Sequence, residues 1–244
     1  MRLVAQIDNK INKEQSLALL GDFAAWLNKH VGIELQYWVE RKDFTNVPTV
    51  PDTDGDLKPT TMFRKELETD VHNRYGDYGT DDILMWVHED NFLYKGIWGS
   101  AWAYNFFKYL MYLCRWDKES KVNTLNTLIH EWSHPLDRLI LEELKIDINP
   151  IIRDWYLVNG TKADRAYITA NGFNWDRDFT HGGLPSVAYI GAKGYTYSKA
   201  NLQPLTIIAP LVKQAYAKRK ELHFKPVTTL QKQLIELLLK LLKK

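Results

Sequence analysis

Apolar and polar positions change their period several times along the chain, and each change marks an element. Arg2 to Ile7 is a short apolar run that predicts a strand. From Asn12 to His30, Leu17, Leu20, Phe23, Ala24 and Leu27 share one helical face, and Ile33 to Val39 predicts a second strand. The opening is therefore a β-α-β unit. Residues 45 to 60 are rich in Pro, Asp, Thr and Gly and read as a loop, and Asp81 to His88 is a third strand candidate. Beyond an aromatic stretch from Trp98 to Trp116, Val122, Leu125, Leu128, Ile129, Trp132, Leu136, Leu139, Ile140 and Leu144 recur at steps of three and four. That is the stripe of an amphipathic helix, with Asp117 or Ser120 placed to cap its start. Pro135 interrupts it, because proline lacks an N–H, clashes with the carbonyl of Glu131 and biases His134 away from helical geometry. The apolar period resumes past the proline, so a kinked helix reaching about Lys145 is expected rather than one that stops. A later helix is predicted near Pro204 to Leu222, and Thr229 to Lys244 sets leucines between lysines as an amphipathic helix.

The polar face of the central helix carries the most informative chemistry. Asn123, Asn126, Thr127, His130, His134 and Asp137 lie between the apolar positions, and His130-Glu131-Trp132-Ser133-His134 is a His-Glu-x-x-His pentad. Two histidines four apart project from one helical face and can share a tetrahedral zinc ion. A glutamate beside the first can polarise the water that such an ion binds, which is the chemistry of metal-assisted peptide hydrolysis. The plainer alternative is a solvated helix face that happens to carry two histidines and a glutamate.

Composition narrows the setting. At 244 residues the chain fits one domain or a close pair of subdomains, and a net charge of +2 predicts no nucleic-acid-binding field. Its one cysteine, Cys114, allows no intrachain disulfide and reads as a small buried hydrophobe. No charged leader opens the chain and no apolar run reaches membrane-spanning length, so a cytoplasmic setting is the default expectation. Release by lysis or a non-classical route would leave no sequence mark. Most of the aromatic residues between Trp98 and Trp116 are expected in the core, with a binding groove as the alternative. The C-terminal helix is expected to dock or self-associate rather than to touch a membrane.

The pentad and the order of elements resemble the zincin metallopeptidases, in which a small α/β subdomain precedes the active-site helix. The resemblance implies an α+β, zincin-like fold with an upper subdomain over residues 1–145, a mostly helical and irregular lower one over 146–225, and the C-terminal helix over 226–244. It also implies a sheet strand at the rim of the cleft that pairs with an extended substrate, for which Ile83 to Val87 is the candidate.

A catalytic zinc needs a third protein ligand and an open position. The metzincin pattern fails, since Asp137 stands where it wants glycine and Ile140 where it wants histidine or aspartate. The thermolysin-like pattern wants a glutamate on a later helix, where only Glu221 is on offer. Gly160-Thr161-Lys162-Ala163-Asp164 is similar to the aspzincin element whose aspartate is the third ligand, with Tyr167 as an oxyanion stabiliser. His181, followed by Gly182 and Gly183 on a loop free to swing towards a metal, is preferred, with Asp176 and Asp178 in reserve. Asp137 is expected to orient a ligand histidine or to be a surface charge. The run His-Glu-x-x-His-x-x-Asp also resembles the toxin-lobe peptidases related to anthrax lethal factor, whose later glutamate has no clear counterpart. Asp52-Thr53-Asp54-Gly55-Asp56 looks like the start of a calcium loop, but Phe63 stands where a bidentate glutamate is required, so an exposed turn is expected. His88 and Glu89 close the candidate rim strand without a defined role.

The expectation is a zinc-dependent endopeptidase acting on a peptide or protein. His130, His134 and His181 hold Zn2+, Glu131 is the general base, and a tyrosine among Tyr167, Tyr195 and Tyr197 serves the oxyanion. The rival is a non-catalytic peptide-binding module on a degenerate zincin scaffold.

Overall fold

Strand β1 (Arg2–Asp8), helix α1 (Lys13–Val31) and strand β2 (Gln36–Lys42) form the predicted β-α-β unit, with β1 and β2 parallel. The computed structural model describes residues 1–51, 57–75, 81–87, 99–104, 108–113, 121–187 and 199–223. Asp52 to Asp56, His88, Glu89, Cys114, Asp117, Ser120, Tyr195, Tyr197 and the helix expected over Thr229 to Lys244 lie outside these residues.

Local chemistry sets the helix ends. The Asn12 side chain accepts from the Gln15 N–H at the start of α1, and Gly32 closes it in the left-handed region at φ 71°. The N–H of Ile33 then donates back to Leu27, and Ile33 is buried. Ile33 thus belongs to the αL cap that closes α1, which is why β2 starts at Gln36 and not at the predicted Ile33.

The loop expected over residues 45 to 60 contains a short antiparallel pair, β3 (Thr49–Pro51) and β4 (Leu57–Pro59), and leads into α2 (Thr61–Tyr75). Strand β5 (Asp81–Trp86) follows, then β6 (Gly99–Tyr104) and β7 (Lys108–Leu113) within the aromatic-rich stretch. Among the described residues the main sheet has the order β2-β1-β5-β7-β6, parallel except for β6, which runs antiparallel to β7 at its edge. The architecture is mixed α/β.

This order corrects the rim-strand expectation. The strand holding Ile83 to Trp86 pairs with β1 on one side and β7 on the other, so its backbone has no edge to offer a substrate. Ile83, Leu84 and Met85 are all buried, as in a central strand covered on both faces. The period-2 alternation divides them: Leu84 joins Leu3, Ala5 and Ile7 in the larger core with α1, while Ile83 and Met85 join Val4 and meet Leu67 and Val71 of α2. Two layers of helix therefore sandwich the sheet.

The central helix appears as two. Helix α3 (Lys121–Ser133) ends, His134 and Pro135 form a turn, and α4 (Leu136–Leu144) restarts with Leu139 N–H donating to the Pro135 carbonyl. The expected kink is thus a two-residue break, because Pro135 cannot donate to Glu131 and the carbonyl register has to be restarted. The apolar stripe survives it: Leu128, Ile129, Trp132, Leu136, Leu139 and Ile140 are all buried. Trp132 meets Phe23 and Trp26 of α1 edge-on, with centroids 6.2 and 6.0 Å apart.

Three more helices follow: α5 (Ile148–Asn159), α6 (Lys162–Asn171) and α7 (Lys199–His223). The Asp147 side chain caps α5, and α7 packs on α1 and α4. Leu205, Ile208, Val212 and Ala215 of α7 share one buried cluster with α1, α3, α4 and β1. Glu143 of α4 and Arg219 of α7 form an ion pair within it (3.3 Å). Among the described residues no helix is long and apolar enough to cross a membrane.

Candidate metal centre

Helix α3 packs on α1 and lies beside β6 and β7, and its C-terminal turn carries the first residues of the pentad. His130 and Glu131 occupy that turn and are each only 3 % exposed, so the pentad is not a solvated face. His134 follows in the break, and its Nε2 lies 3.1 Å from Nε2 of His130. Two nitrogens bound at about 2.0–2.1 Å to one tetrahedral ion are about 3.3 Å apart, so the separation suits a shared metal.

His181 completes the group. The ligand-type nitrogens of His130, His134 and His181 all lie within 4.8 Å of one another. Ring centroids are 4.7 Å apart for His130 and His134, 4.8 Å for His134 and His181, and 6.1 Å for His130 and His181.

A π-helical turn, Trp175–Thr180, delivers that third histidine, which follows it directly. The turn is anchored at both ends of its own sequence. The Trp175 side chain is fully buried, stacks on Phe179, and donates its indole N–H to the Ser133 carbonyl (3.0 Å). That carbonyl ends α3, so the tryptophan serves a group that the proline break displaced from regular helix. Trp175 N–H in turn donates to the Asn149 side chain (2.7 Å).

Asp178 is completely buried and accepts from Arg177 Nε (2.7 Å), Arg177 Nη2 (2.6 Å), the Asn174 N–H (2.7 Å) and the Tyr167 hydroxyl (3.0 Å). The loop after His181 folds over it. Gly182 has φ 68°, a conformation that disfavours a side chain, and a Cβ on Gly183 would lie 2.7 Å from Asp178 Oδ1. The two glycines therefore do not leave His181 on a loop free to swing, as expected from sequence. They let the loop close tightly.

The other candidates are placed elsewhere. Asp164 caps α6: its Oδ2 accepts the Thr161 N–H (2.7 Å), its Oδ1 accepts the Ser186 N–H (2.8 Å), and Thr161 reciprocates. Gly160 to Asp164 is thus a capping box at a helix N-terminus, and both carboxylate oxygens are committed to backbone. Tyr167 is held by Asp178. Asp137 accepts the Arg138 N–H (2.6 Å), whereas the carboxylate that touches a histidine of the pentad is Asp176, 2.6 Å from His134 Nδ1. Sequence reading held Asp176 only as a reserve ligand, since nothing in its spacing marks a residue that meets His134 across 42 positions.

Electrostatics shifts the members of the group in opposite directions. Burial and the neighbouring imidazoles push His130 well below the ordinary histidine value, and burial with His134 lowers His181. Burial also opposes charge on His134, but the hydrogen bond to Asp176 and the Glu131 carboxylate outweigh it and raise its pKa. The same hydrogen bond holds Asp176 at about 2. Burial drives Glu131 up to about 7, and its Oε2 has no hydrogen-bond partner among the described residues. Imidazoles converging beside a buried carboxyl oxygen that lacks a partner among the described residues fit a divalent cation of the kind imidazole binds.

Comparison with protein-family models, with curated proteins and with solved structures finds no match to this chain.

Proposed function

We propose that this protein is a zinc-dependent peptide hydrolase whose ion is held by His130, His134 and His181 and whose general base is Glu131. The observation that supports the reading is the convergence of three imidazoles from two separated segments beside a buried carboxylate. A third histidine next to the pentad's pair also favours catalysis over a binding module, since three protein ligands leave a tetrahedral ion one open position. Bound there, zinc would supply Lewis acidity, which makes water a nucleophile at neutral pH and polarises a carbonyl oxygen.

The chain's own residues do the rest. Glu131 takes the proton of the attacking water and passes it to the leaving amine, a task suited to a carboxyl whose burial sets it near neutrality. Asp176 keeps the proton of His134 on Nδ1 and leaves Nε2 facing His130. An extended peptide would lie along β6, the sheet edge beside α3, and add a strand to it through main-chain hydrogen bonds.

Two measurements test the reading. Purified wild type should carry about one zinc per chain, a Glu131→Gln variant should retain it, and hydrolysis of a peptide library should fall by about 10²- to 10⁴-fold or more in that variant. Undiminished hydrolysis would remove Glu131 from the mechanism. His181→Ala should lose the metal while Asp164→Ala keeps it; the opposite result would restore Asp164 as the third ligand.

A further inference from the structure

His134 stands in the two-residue break after α3, so regular helix does not hold its ring. The π-turn supplies the restraint instead. Asp176 is the second residue of the turn and His181 follows it by five positions, and the His181 N–H donates to the Asp176 carbonyl (3.0 Å), closing one π-helical loop of backbone. This register sets both side chains on one side of the turn. Asp176 Oδ1 is hydrogen-bonded to His134 Nδ1 at 2.6 Å, and its Oδ2 lies 3.6 Å from His181 Nδ1, an electrostatic contact longer than a hydrogen bond. The buried Thr180 hydroxyl lies 3.0 Å from the same Oδ1 and steadies the carboxylate, while its main contact is the Asp176 carbonyl at 2.5 Å.

Resting on the zinc reading above, we propose that Asp176 is a positioning residue shared by two ligands: one carboxylate orients the rings of His134 and His181, one oxygen to each. A pair of separate second partners, one for each histidine, is the more usual way to fix ligand tautomers. Here a single side chain couples the ligand after α3 to the one after the π-turn, so disturbing it loosens the metal from both segments together. A π-turn suits this role. In an α-helix, residues five apart point about 140° away from each other, and one carboxylate would not reach both rings.

The test compares zinc affinity, by chelator competition, and histidine tautomers, by nitrogen-15 NMR of the metal-free protein, in wild type, Asp176→Ala, Asp176→Asn and Thr180→Val. Asp176→Ala should lose about 10- to 100-fold in zinc affinity, and His134 should lose its fixed Nδ1–H tautomer. Asp176→Asn, whose amide offers one acceptor oxygen, should lose less and keep one of the two rings oriented. Thr180→Val should shift affinity in the same direction by a smaller factor. The tautomer readout separates positioning from a merely structural role, because a loss of general packing would lower thermal stability without selecting those two rings.

A wild type that binds zinc beside an Asp176→Ala that binds it within about twofold overturns the role of Asp176 alone. So does an Asp176→Ala that loses zinc while the His134 tautomer stays as in wild type. A wild type that binds no zinc overturns the metal centre, and the shared-ligand role falls with it.

Discussion

Replacing Gly183 by alanine is the sharpest test of how His181 is held. The added Cβ would lie 2.7 Å from Asp178 Oδ1, 2.8 Å from the Arg177 carbonyl oxygen and 3.3 Å from Asp178 Cα. Ordinary contact begins near 3.4 Å, so something has to retreat by about 0.5–0.7 Å. Asp178 cannot do so cheaply. It is completely buried and held by four hydrogen bonds of 2.6 to 3.0 Å from Arg177, Asn174 and Tyr167. The Arg177 carbonyl is backbone, and it already accepts the Gly183 N–H at 3.0 Å. The loop itself must therefore move, and His181 is two residues away. Overpacking of this size costs about 1–3 kcal/mol. For a chain of this length that lowers the thermal midpoint by about 2–10 °C. Zinc affinity should fall at least about tenfold through the displaced ligand. Differential scanning calorimetry and chelator competition measure both. Gly21→Ala is the control, because a Cβ there meets nothing within 4 Å and alanine favours the interior of α1, so its midpoint should hold or rise. A Gly183→Ala variant as stable and as tight for zinc as wild type would refute the packed-loop account of His181.

Two further changes probe the frame around the site. Trp175→Phe removes the indole N–H that the Ser133 carbonyl accepts, inside a fully buried site, and should cost about 1–3 kcal/mol in stability and weaken zinc binding as the π-turn loosens. Equal midpoints and affinities for that variant and wild type would show that the anchor is dispensable. Asp164→Asn tests the capping box through pH. Burial pushes the Asp164 pKa up, but hydrogen bonds from Thr161 and Ser186 outweigh it, so the folded value lies below the ordinary one. A depressed carboxylate pKa stabilises the fold above the unfolded value, near pH 4, and that contribution vanishes as pH falls through the folded value. The variant should therefore be less stable than wild type at pH 7, with the gap narrowing as acid denaturation sets in, and its zinc content should be unchanged. A gap that widens in acid would contradict the assigned shift.

Legibility in the sequence followed the range of the interactions involved. Where neighbours within one or two turns decide, the chain announced its structure. The apolar face of α1, the stripe from Leu128 to Ile140 and the pentad's two histidines all depend on spacings of three and four. The Ile33 strand start was missed because the αL cap of α1 is followed by an apolar residue that looks like the first residue of a strand. The run from Ile83 to Val87 was legible as a strand but not as a central one, since pairing partners and not composition place a strand inside a sheet. Asp164 carried a family-like pattern and proved to be a capping box, because Thr-x-x-Asp satisfies a helix N-terminus as readily as it matches a peptidase element.

The sequence by itself determined the β-α-β opening, the helix that carries His130 and Glu131, and an interruption at Pro135, which was expected as a kink and is a break. Each follows from backbone sterics and apolar period over a few residues. Tertiary structure alone decided which distant group completes the cluster and what holds it. His134 meets Asp176, Trp175 meets the end of α3 and His181 meets the pentad across more than forty positions, through a π-turn whose register leaves no periodic signature. Contacts of that range depend on where packing brings two segments together, and no local pattern in the chain encodes that distance.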